Sequence, residues 1–503
     1  MDEDKKSDIE SQSPPRAPSV GIVKDVSDAD AALDFLRGEG PVRPMTAEDE
    51  KRLVRKIDWM VMPLMWSCYC LQYLDKTLIN YANVMGLQDD ANITESQFST
   101  LALIFYVSYL GLEFPHGYGM QRFPTAKYLG LMVALWGAIV AVTSACKNYG
   151  SLVATRVLLG CFESAVAPSL ILVTSMWYKH GEQPFRVGLW YLGVGTGTIL
   201  GSIVSFGFQH YNGNAFTNWQ AMFLLLGLIT VAVGITVFFI LPDNPMKSRL
   251  THEEKVWAVQ RLRENQTGIE NKHFKPAQVL ECFLDPQTWL LGFIVISSNV
   301  PNGAVSSYQA TIIRQFGFDS KTTALLQIPS GVISMISISS ATYLAGRYNM
   351  RGIQIISLLI PGALGGCLMA FVDSKLGKLM GNYLTNVIGS SLPLMYSWVA
   401  ANYAGHTKKV TMNAFLLISF CVGNIIGPLT FTEKSAPEYI PAKITIIVTC
   451  LVAVALTLAL QAYYIFENRK RAKMIRQGMV EHLEDIEFAD ITDRKNPEFK
   501  YRL

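Results

Sequence analysis

Two pairs of charged residues lie inside otherwise apolar stretches of this 503-residue chain. Asp75 and Lys76 are adjacent, and Arg156 and Glu163 are separated by seven positions. A charged side chain at the centre of a helix in lipid costs about 2.5–3.5 kcal/mol on insertion scales, so we expect these residues to face a cavity inside a helix bundle. Seven residues make nearly two helical turns, so Arg156 and Glu163 share one helix face, about 10 Å apart.

Carboxylates placed beside buried cations predict a site that couples a proton to an anion. Burial disfavours an ionised carboxylate and a nearby cation favours it, so a mobile Lys or Arg can switch a carboxyl group between its two forms. An inside-negative potential opposes anion entry by about 2.3 kcal/mol per 100 mV, and one co-imported proton cancels that cost. We predict that Asp75 and Glu163 carry the proton, while Lys76 and Arg156 hold the anion.

Two structural alternatives to this site remain open from the sequence. Asp75 and Lys76 could form a pair that reaches the outer membrane surface, because Asp75 lies about 25 Å along a helix from Asp58. Arg156 could instead anchor the end of its span, with Glu163 as a static partner.

The elements that hold these residues are membrane spans. Half of the residues (50%) are hydrophobic and only 17% are charged, with a mean hydropathy of +0.25, which is too apolar for an ordinary soluble protein of this size. Apolar runs of about 20 residues predict twelve transmembrane helices and an all-α fold. The predicted spans are 57–81, 98–119, 127–146, 149–176, 185–209, 219–241, 287–312, 322–345, 352–372, 377–403, 409–431 and 441–466.

The spans form two related halves. Three landmarks recur at a spacing of 225 or 226 positions, namely Gly197 with Gly423, Pro168 with Pro393, and Arg122 with Arg347. Two six-span halves joined by a linker match the layout of a major facilitator transporter, in which one half rocks against the other around a central site. The four charged residues have no charged counterpart in the second half, where Val300, Pro301, Gly381 and Ile388 stand opposite them.

This layout predicts five regions. They are an N-terminal cytosolic tail (1–56), an N-terminal six-helix half (57–241), a cytosolic linker (242–286), a C-terminal six-helix half (287–466) and a C-terminal cytosolic tail (467–503). The linker contains a capping-box pattern from Thr251 to Glu254, followed by apolar positions with Arg261 among them. These features suit an amphipathic helix along the cytosolic membrane face, and a plain linker helix is equally compatible.

Lysines and arginines in alternate short loops predict the orientation. They cluster before span 1 and in the loops after spans 2, 4, 8 and 10, the last of which contains Lys408 and Lys409, whereas loops 82–97 and 210–218 have none. The positive-inside rule then places both termini in the cytosol of a multi-pass protein, which we expect in the plasma membrane. Asn92, in an Asn-Ile-Thr pattern, becomes a possible glycosylation site on the outer side.

The second half supplies neutral polar side chains at the depth of the charged pairs. They are Asn299, Asn302, Tyr308, Gln309, Gln327, Asn386, Asn413 and Asn424. From these we predict Asn302, Gln309 and Asn386 as substrate-binding residues, although a polar residue in a span is more often a helix-to-helix hydrogen bond. In the first half, Tyr73 and Asn80 flank the charged pair and complete the predicted substrate site.

Several motifs together resemble the fungal allantoate permease family, a branch of the anion:cation symporters in the major facilitator superfamily. The motifs are Tyr73-Leu-Asp75-Lys76 with Asn80, Glu113-Phe-Pro115, Arg156 to Pro168 with Gly160 and Glu163 between them, and the tail Asp490-Ile-Thr-Asp-Arg-Lys-Asn496 with Phe499 and Tyr501. The resemblance implies import of allantoate, nicotinate, pantothenate or related compounds, typically with protons. It also implies proton-coupling carboxylates at Asp75 and Glu163 and carboxylate-binding cations at Lys76 and Arg156. The position of Lys76 is usually Arg in this family.

We therefore expect a monomeric secondary transporter in the lipid bilayer that imports a small organic anion with protons by alternating access. The sequence shows no catalytic constellation, so we expect no enzyme, and we expect no cofactor, no metal and no nucleic-acid partner. Two other functions remain open. The first is export of a secondary metabolite. The Gly197–Gly201 segment argues against it, because it lacks the Gly-Pro pair that is common in span 5 of exporters. The second is a nutrient sensor that binds without transport.

Overall fold

The computed structural model describes residues 42–179, 181–211, 216–262, 275–348, 350–436, 438–477, 491–496 and 498–503. Residues Pro44–Leu503 form one compact unit. Most of the predicted N-terminal tail, residues 1–41, lies outside the described residues.

The described part of the chain is helical. The first half contains α1 (Ala47–Val84), α2 (Leu87–Ala91), α3 (Glu95–Arg122), α4 (Thr125–Thr143), α5 (Tyr149–Glu163), α6 (Val166–Trp177), α7 (Gln183–Tyr191), α8 (Gly193–Phe208) and α9 (Asn218–Ile240). The linker forms α10 (His252–Leu262) and α11 (Pro276–Phe283). The second half contains α12 (Pro286–Gln315), α13 (Ser320–Leu325), α14 (Ile328–Tyr348), α15 (Arg351–Phe371), α16 (Lys375–Thr385), α17 (Ser391–Asn402), α18 (His406–Leu429) and α19 (Ile440–Arg476).

These helices make twelve spans within the described residues, because α5–α6, α7–α8, α13–α14 and α16–α17 each form one broken span. Eight segments are long and apolar enough to cross a membrane, and α11 with α12, bent by 65°, make a ninth. The other three spans, α1, α3 and α16–α17, are more polar, and α1 carries Asp75 and Lys76. The predicted all-α fold of two six-helix halves is confirmed. We call the face where α1 begins and α19 ends the terminal face, and the opposite one the distal face.

The same glycine-to-helix contact occurs in both halves. A Cβ on Gly197 would lie 2.7 Å from the main-chain oxygen of Cys70 in α1, and a Cβ on Gly423 would lie 2.6 Å from that of Ile296 in α12. The two glycines and the two carbonyl groups are each separated by 226 positions. Only glycine permits so close an approach of two helix backbones, so the repeat in the sequence is a repeat in packing.

A proline breaks the helix at equivalent positions of the two halves. Pro393, which has no N–H, leaves the main-chain oxygen of Gly389 without its usual helical partner, and the span changes there from α16 to α17. The hydroxyl group of Tyr191, which ends α7 in the other half, donates a hydrogen bond to this oxygen at 3.3 Å. The break in the second half is therefore a point of contact between the halves.

Candidate functional site

A central cavity lies between the two halves. Its empty volume is about 720 Å³, counting the part that opens to solvent, and residues of α1, α3, α7 and α8 face residues of α12, α14, α16–α18 across it. The first half contributes aromatic rings and one cation, whereas the second contributes mainly amides and hydroxyls. These residues are Tyr69, Tyr73, Lys76, Tyr106 and Tyr191 on one side, and Asn299, Asn302, Ser306, Ser334, Thr385, Asn386, Ser390 and Phe420 on the other.

Lys76 is the only charged side chain that lines this cavity among the described residues. Its ammonium group lies 5.6 Å from the ring centroids of both Tyr109 and Phe420 and 6.0 Å from that of Tyr106. These distances are within the range of cation–π attraction, which stabilises the charge without neutralising it. Phe420 belongs to the second half, so the cation contacts both halves at once.

Glu163 lies behind Lys76 and is fully buried, with 0% of its surface exposed. The Lys76 ammonium group is 4.0 Å from its Oε1 atom, at the limit of an ion pair. Neither carboxylate oxygen has a hydrogen-bond partner among the described residues. An ionised carboxylate in such surroundings depends on the cations near it, of which Lys76 forms the ion pair, because burial without hydrogen bonds is costly for a charge.

Asp75 and Arg156 form the deeper part of the same cluster. Asp75 is 2% exposed and accepts a hydrogen bond from Nε1 of Trp136 at 3.1 Å, and Arg156 is 4% exposed. The positive charge of Arg156 interacts electrostatically with both Asp75 and Glu163. The four charged residues are thus brought together inside the first half, and neither Asp75 nor Glu163 lies on the outer surface of the bundle.

The chain matches the Major Facilitator Superfamily over residues 65–428. It belongs to this superfamily. A thiamine pathway transporter of Saccharomyces cerevisiae is 39% identical over 95% of this chain and 94% of its own length. The allantoate permease of the same yeast is 33% identical over 97% of this chain and 92% of its own length. The resemblance to the allantoate permease family is therefore confirmed, and the chain is a transporter of small molecules and not an enzyme.

Solved structures support the same fold. A bacterial homologue of the human lysosomal transporter Spinster, crystallised in an inward-facing and occupied conformation, superposes with a TM-score of 0.60. The match covers 80% of this chain and 96% of the bacterial one at 13% sequence identity. The superfamily match and the long apolar helices show that this chain is a multi-pass membrane protein.

The structure separates the predicted substrate-binding residues of this transporter into two groups. Tyr73, Lys76, Asn302 and Asn386 line the cavity, whereas Asn80, Arg156 and Gln309 do not. The side chain of Asn302 donates to Asn424 Oδ1 at 2.9 Å, and that of Asn386 donates to the main-chain oxygen of Asn382. Gln309 is buried and donates to the Ser330 hydroxyl at 2.8 Å, which is a helix-to-helix contact.

Asn80 joins the two halves on the distal side of the cavity. Its Oδ1 atom accepts from the main-chain N–H of Ala310 at 2.8 Å, and its Nδ2 group donates to Gln327 at 3.5 Å. One turn further along α1, Asn83 donates to Thr311 at 3.1 Å. These bonds must break whenever the halves separate on the distal side, so we propose that Asn80 contributes to a gate there and does not contact the substrate.

We expect Asn80→Ala and Asn302→Ala to change different kinetic parameters. Loss of the distal contact by Asn80→Ala should change the maximal uptake rate several-fold with little change in KM, because it alters the balance between conformations and not the cavity wall. Asn302→Ala should raise KM. Initial uptake rates over a range of substrate concentrations measure both, and an Asn80→Ala variant in which only KM changes would contradict the gating role.

The sequence did not identify the partners that surround the charged residues. Trp136, Tyr106 and Phe420 are apolar or aromatic residues of ordinary spans, and no local pattern distinguishes them from packing residues. Glu113 offered a signal through its Glu-Phe-Pro motif. One of its carboxylate oxygens is buried without a hydrogen-bond partner among the described residues, and the charge of Lys76 acts on it.

The described part of the chain contains neither a disulfide nor a candidate metal site. All eight cysteines are free, and the described residues contain no cluster of metal-ligating side chains. Asn92, the predicted glycosylation position, is exposed in a left-handed conformation just after α2. The Thr94 hydroxyl of the same pattern accepts a hydrogen bond from the N–H of Gln97 and caps α3.

Proposed function

We propose that this transporter imports a small organic anion together with a proton by alternating access. The observation that carries the proposal is the position of Lys76, which lies between a buried carboxylate and the cavity and is the one charged group lining that cavity in the described part of the chain. A single cation at the wall of a neutral polar cavity suits a substrate with one carboxylate and further hydrogen-bonding groups.

The arrangement provides a simple way to couple the two ions. When a substrate carboxylate enters, it competes with Glu163 for Lys76, and the ammonium group moves toward the cavity. Glu163 then loses its closest cation, so taking up a proton removes a costly buried charge. The proton and the anion are therefore bound together, and after release of the anion Lys76 returns to Glu163 and displaces the proton.

Asp75 and Arg156 complete this proposal behind the Lys76–Glu163 pair. The Trp136 N–H group holds one Asp75 oxygen in place, and the other has no hydrogen-bond partner among the described residues. Asp75 is thus a second carboxylate able to carry a proton. Arg156 supplies the positive charge that balances the pair when Lys76 is occupied by substrate.

The proposed setting is the plasma membrane, with both termini in the cytosol and the chain acting as a monomer. Named relatives are a thiamine pathway transporter and an allantoate permease, which support uptake of a vitamin-related compound or a ureide as the substrate class. Candidates are small carboxylates such as allantoate, nicotinate or pantothenate. This chain has Lys at position 76, where the family usually has Arg, which favours a substrate that does not need a planar contact with two hydrogen bonds.

The decisive measurement is uptake into cells that express the chain, as a function of external pH. With one proton per anion, each unit of external acidification should raise the equilibrium accumulation ratio tenfold, equivalent to about 1.4 kcal/mol. A protonophore should abolish accumulation. Competition among small carboxylates, vitamins, ureides and dipeptides identifies the substrate.

The same assay distinguishes the two alternatives. An exporter would drive the substrate outward in oriented vesicles under the same gradient, and a sensor would bind substrate without accumulating it. Accumulation that is independent of both pH and protonophore would exclude the proposed coupling.

A further inference from the structure

The C-terminal segment of the chain is packed against the terminal face of the second half. We call residues 491–503, described at 491–496 and 498–503, the tail segment. Asp493 is 0% exposed, and Thr492 and Tyr501 are each 2% exposed. Because a plain solvated tail would not bury polar side chains to this degree, the tail segment has a specific binding site.

The centre of this site is a buried cation. Lys408 is fully buried, and its ammonium group lies 2.8 Å from both Asp285 and Asp493 and 3.3 Å from Glu281. Asp493 also accepts hydrogen bonds from the Tyr501 hydroxyl at 2.8 Å and from the Gln287 amide at 3.0 Å. A charge this deeply buried is tolerated only with well-placed partners, and the tail segment supplies one of them.

The main chain of the tail segment is held as specifically as its side chains. Asn402 accepts from the N–H of Arg502 at 2.7 Å and donates to its oxygen at 2.9 Å, and Trp398 donates to the same oxygen at 3.0 Å. Arg471 donates to two further main-chain oxygens, and the N–H of Arg351 donates to an oxygen of Leu503. The contacts therefore join the ends of α12, α15, α17, α18 and α19.

The first half has a counterpart with the opposite polarity. The linker helix α10 follows that half as the tail segment follows the second, and its Arg261 side chain is fully buried. Arg261 lies 2.6 Å from Glu182 and 3.5 Å from Glu50. Glu182 directly precedes α7, and Lys408 lies in the first turn of α18, 226 positions further along the chain. A basic residue of the linker helix thus pairs with two carboxylates of the first half, and an acidic residue of the tail segment pairs with a lysine of the second.

We propose that the terminal face of the second half is a peptide-binding site whose ligand is the tail segment of the same chain. By contacting five helix ends at once, the bound segment holds them together as one rigid unit. The linker helix does the same for the first half. The two segments carry opposite central charges, and each charge is matched by a group of the half that precedes it. Alternating access moves the halves as rigid bodies, so a device that fixes helix ends within a half serves transport directly.

The test uses the thermal stability of the purified chain in detergent, which does not depend on substrate identity. Asp493→Asn and Lys408→Met should each lower the melting temperature by about 4 °C or more, because each removes one partner of a buried ion pair. The loss in the double variant should be clearly smaller than the sum of the two. Arg494→Ala, at the exposed neighbouring position, is the matched control and should leave the melting temperature unchanged.

A chain truncated after residue 490 tests binding itself. A synthetic peptide of residues 491–503 should raise its melting temperature in a saturable way, and the same peptide carrying D493N should do so at least tenfold more weakly. Additive point variants, or a truncated chain as stable as the full chain, would overturn the proposal. So would a folded truncated chain that does not respond to the peptide. If truncation prevents purification, the point-variant cycle decides alone.

Discussion

Glu163→Gln should abolish acid-driven accumulation while leaving exchange of substrate across the membrane. Glutamine reproduces the shape and neutrality of the protonated side chain, so the variant stays in the form that releases Lys76 to the substrate, and it has no proton to give back. Without a coupled proton, an inside-negative potential of 100 mV opposes entry of an anion by about 2.3 kcal/mol. The substrate concentration inside should therefore fall to roughly one fiftieth of that outside. Counterflow of labelled substrate in proteoliposomes measures the exchange that remains.

Glu113→Gln provides the comparison. Glu113 is also an acidic residue acted on by the Lys76 charge, but it has no ion pair with Lys76 within 4.0 Å, so its replacement should slow uptake and keep its dependence on pH. The proposal for Glu163 is contradicted if Glu163→Gln and Asp75→Asn both retain full acid-driven accumulation. It is also contradicted if the Glu163→Gln chain folds normally but has lost exchange together with accumulation.

The repeated frame of the protein was predictable because its signals are local. Span length and the glycines at 197 and 423 can be recognised without knowledge of neighbouring helices, and the structure places both glycines against main-chain oxygens 226 positions apart. The burial of Asp75 and Glu163 followed from the cost of exposing charge to lipid. These inferences needed only the chain's own pattern and the physics of the bilayer.

The details of the site were not predictable because they depend on how helices are rotated. Asn80 and Asn302 are both asparagines at comparable depth, yet one bonds across the distal contact and the other lines the cavity. Trp136 donates to Asp75 from a span with no polar signature. Sequence periodicity gives the face of a helix but not the neighbour that this face meets.

Lys408 illustrates a different limit of sequence analysis. In the sequence it is one of two lysines in a short loop and serves as an orientation signal. In the structure it is fully buried between carboxylates, one of which comes from the tail segment. Its partner Asp493 follows a long apolar span and a further stretch of chain, so no local pattern links the two. The tail motif of the family resemblance was the only indication that this segment had a defined structure.

The position of Lys76 also explains why the cavity is asymmetric. The charged cluster lies within the first half, while the second half presents amides and hydroxyls that bind neutral parts of a substrate without a large desolvation cost. A substrate that bridges the cavity would contact the switchable cation at one end and a fixed polar wall at the other. In the proposed mechanism, Lys76 would link substrate binding to movement of the halves.

Replacing Lys76 should therefore impair substrate binding more than any other single change at the cavity wall. Lys76→Met removes the only charged group lining the cavity among the described residues, and the loss of a charge-assisted contact worth about 1.5–3 kcal/mol should raise KM roughly 10- to 100-fold. Lys76→Arg keeps the charge and restores the usual family residue. It should retain uptake and change the ranking of competing carboxylates, because its planar group binds a carboxylate at two points.

The control for this experiment is Lys147→Met, which removes an exposed lysine from the loop before α5 and should leave KM unchanged. Measuring KM for the best substrate and for its uncharged amide separates charge recognition from packing. The uncharged amide should have a high KM in the wild-type chain, and its KM should be about the same in the Lys76→Met chain. An unchanged KM for the anion in Lys76→Met would mean that the substrate carboxylate binds elsewhere, and coupling by competition for one ammonium group would then be impossible.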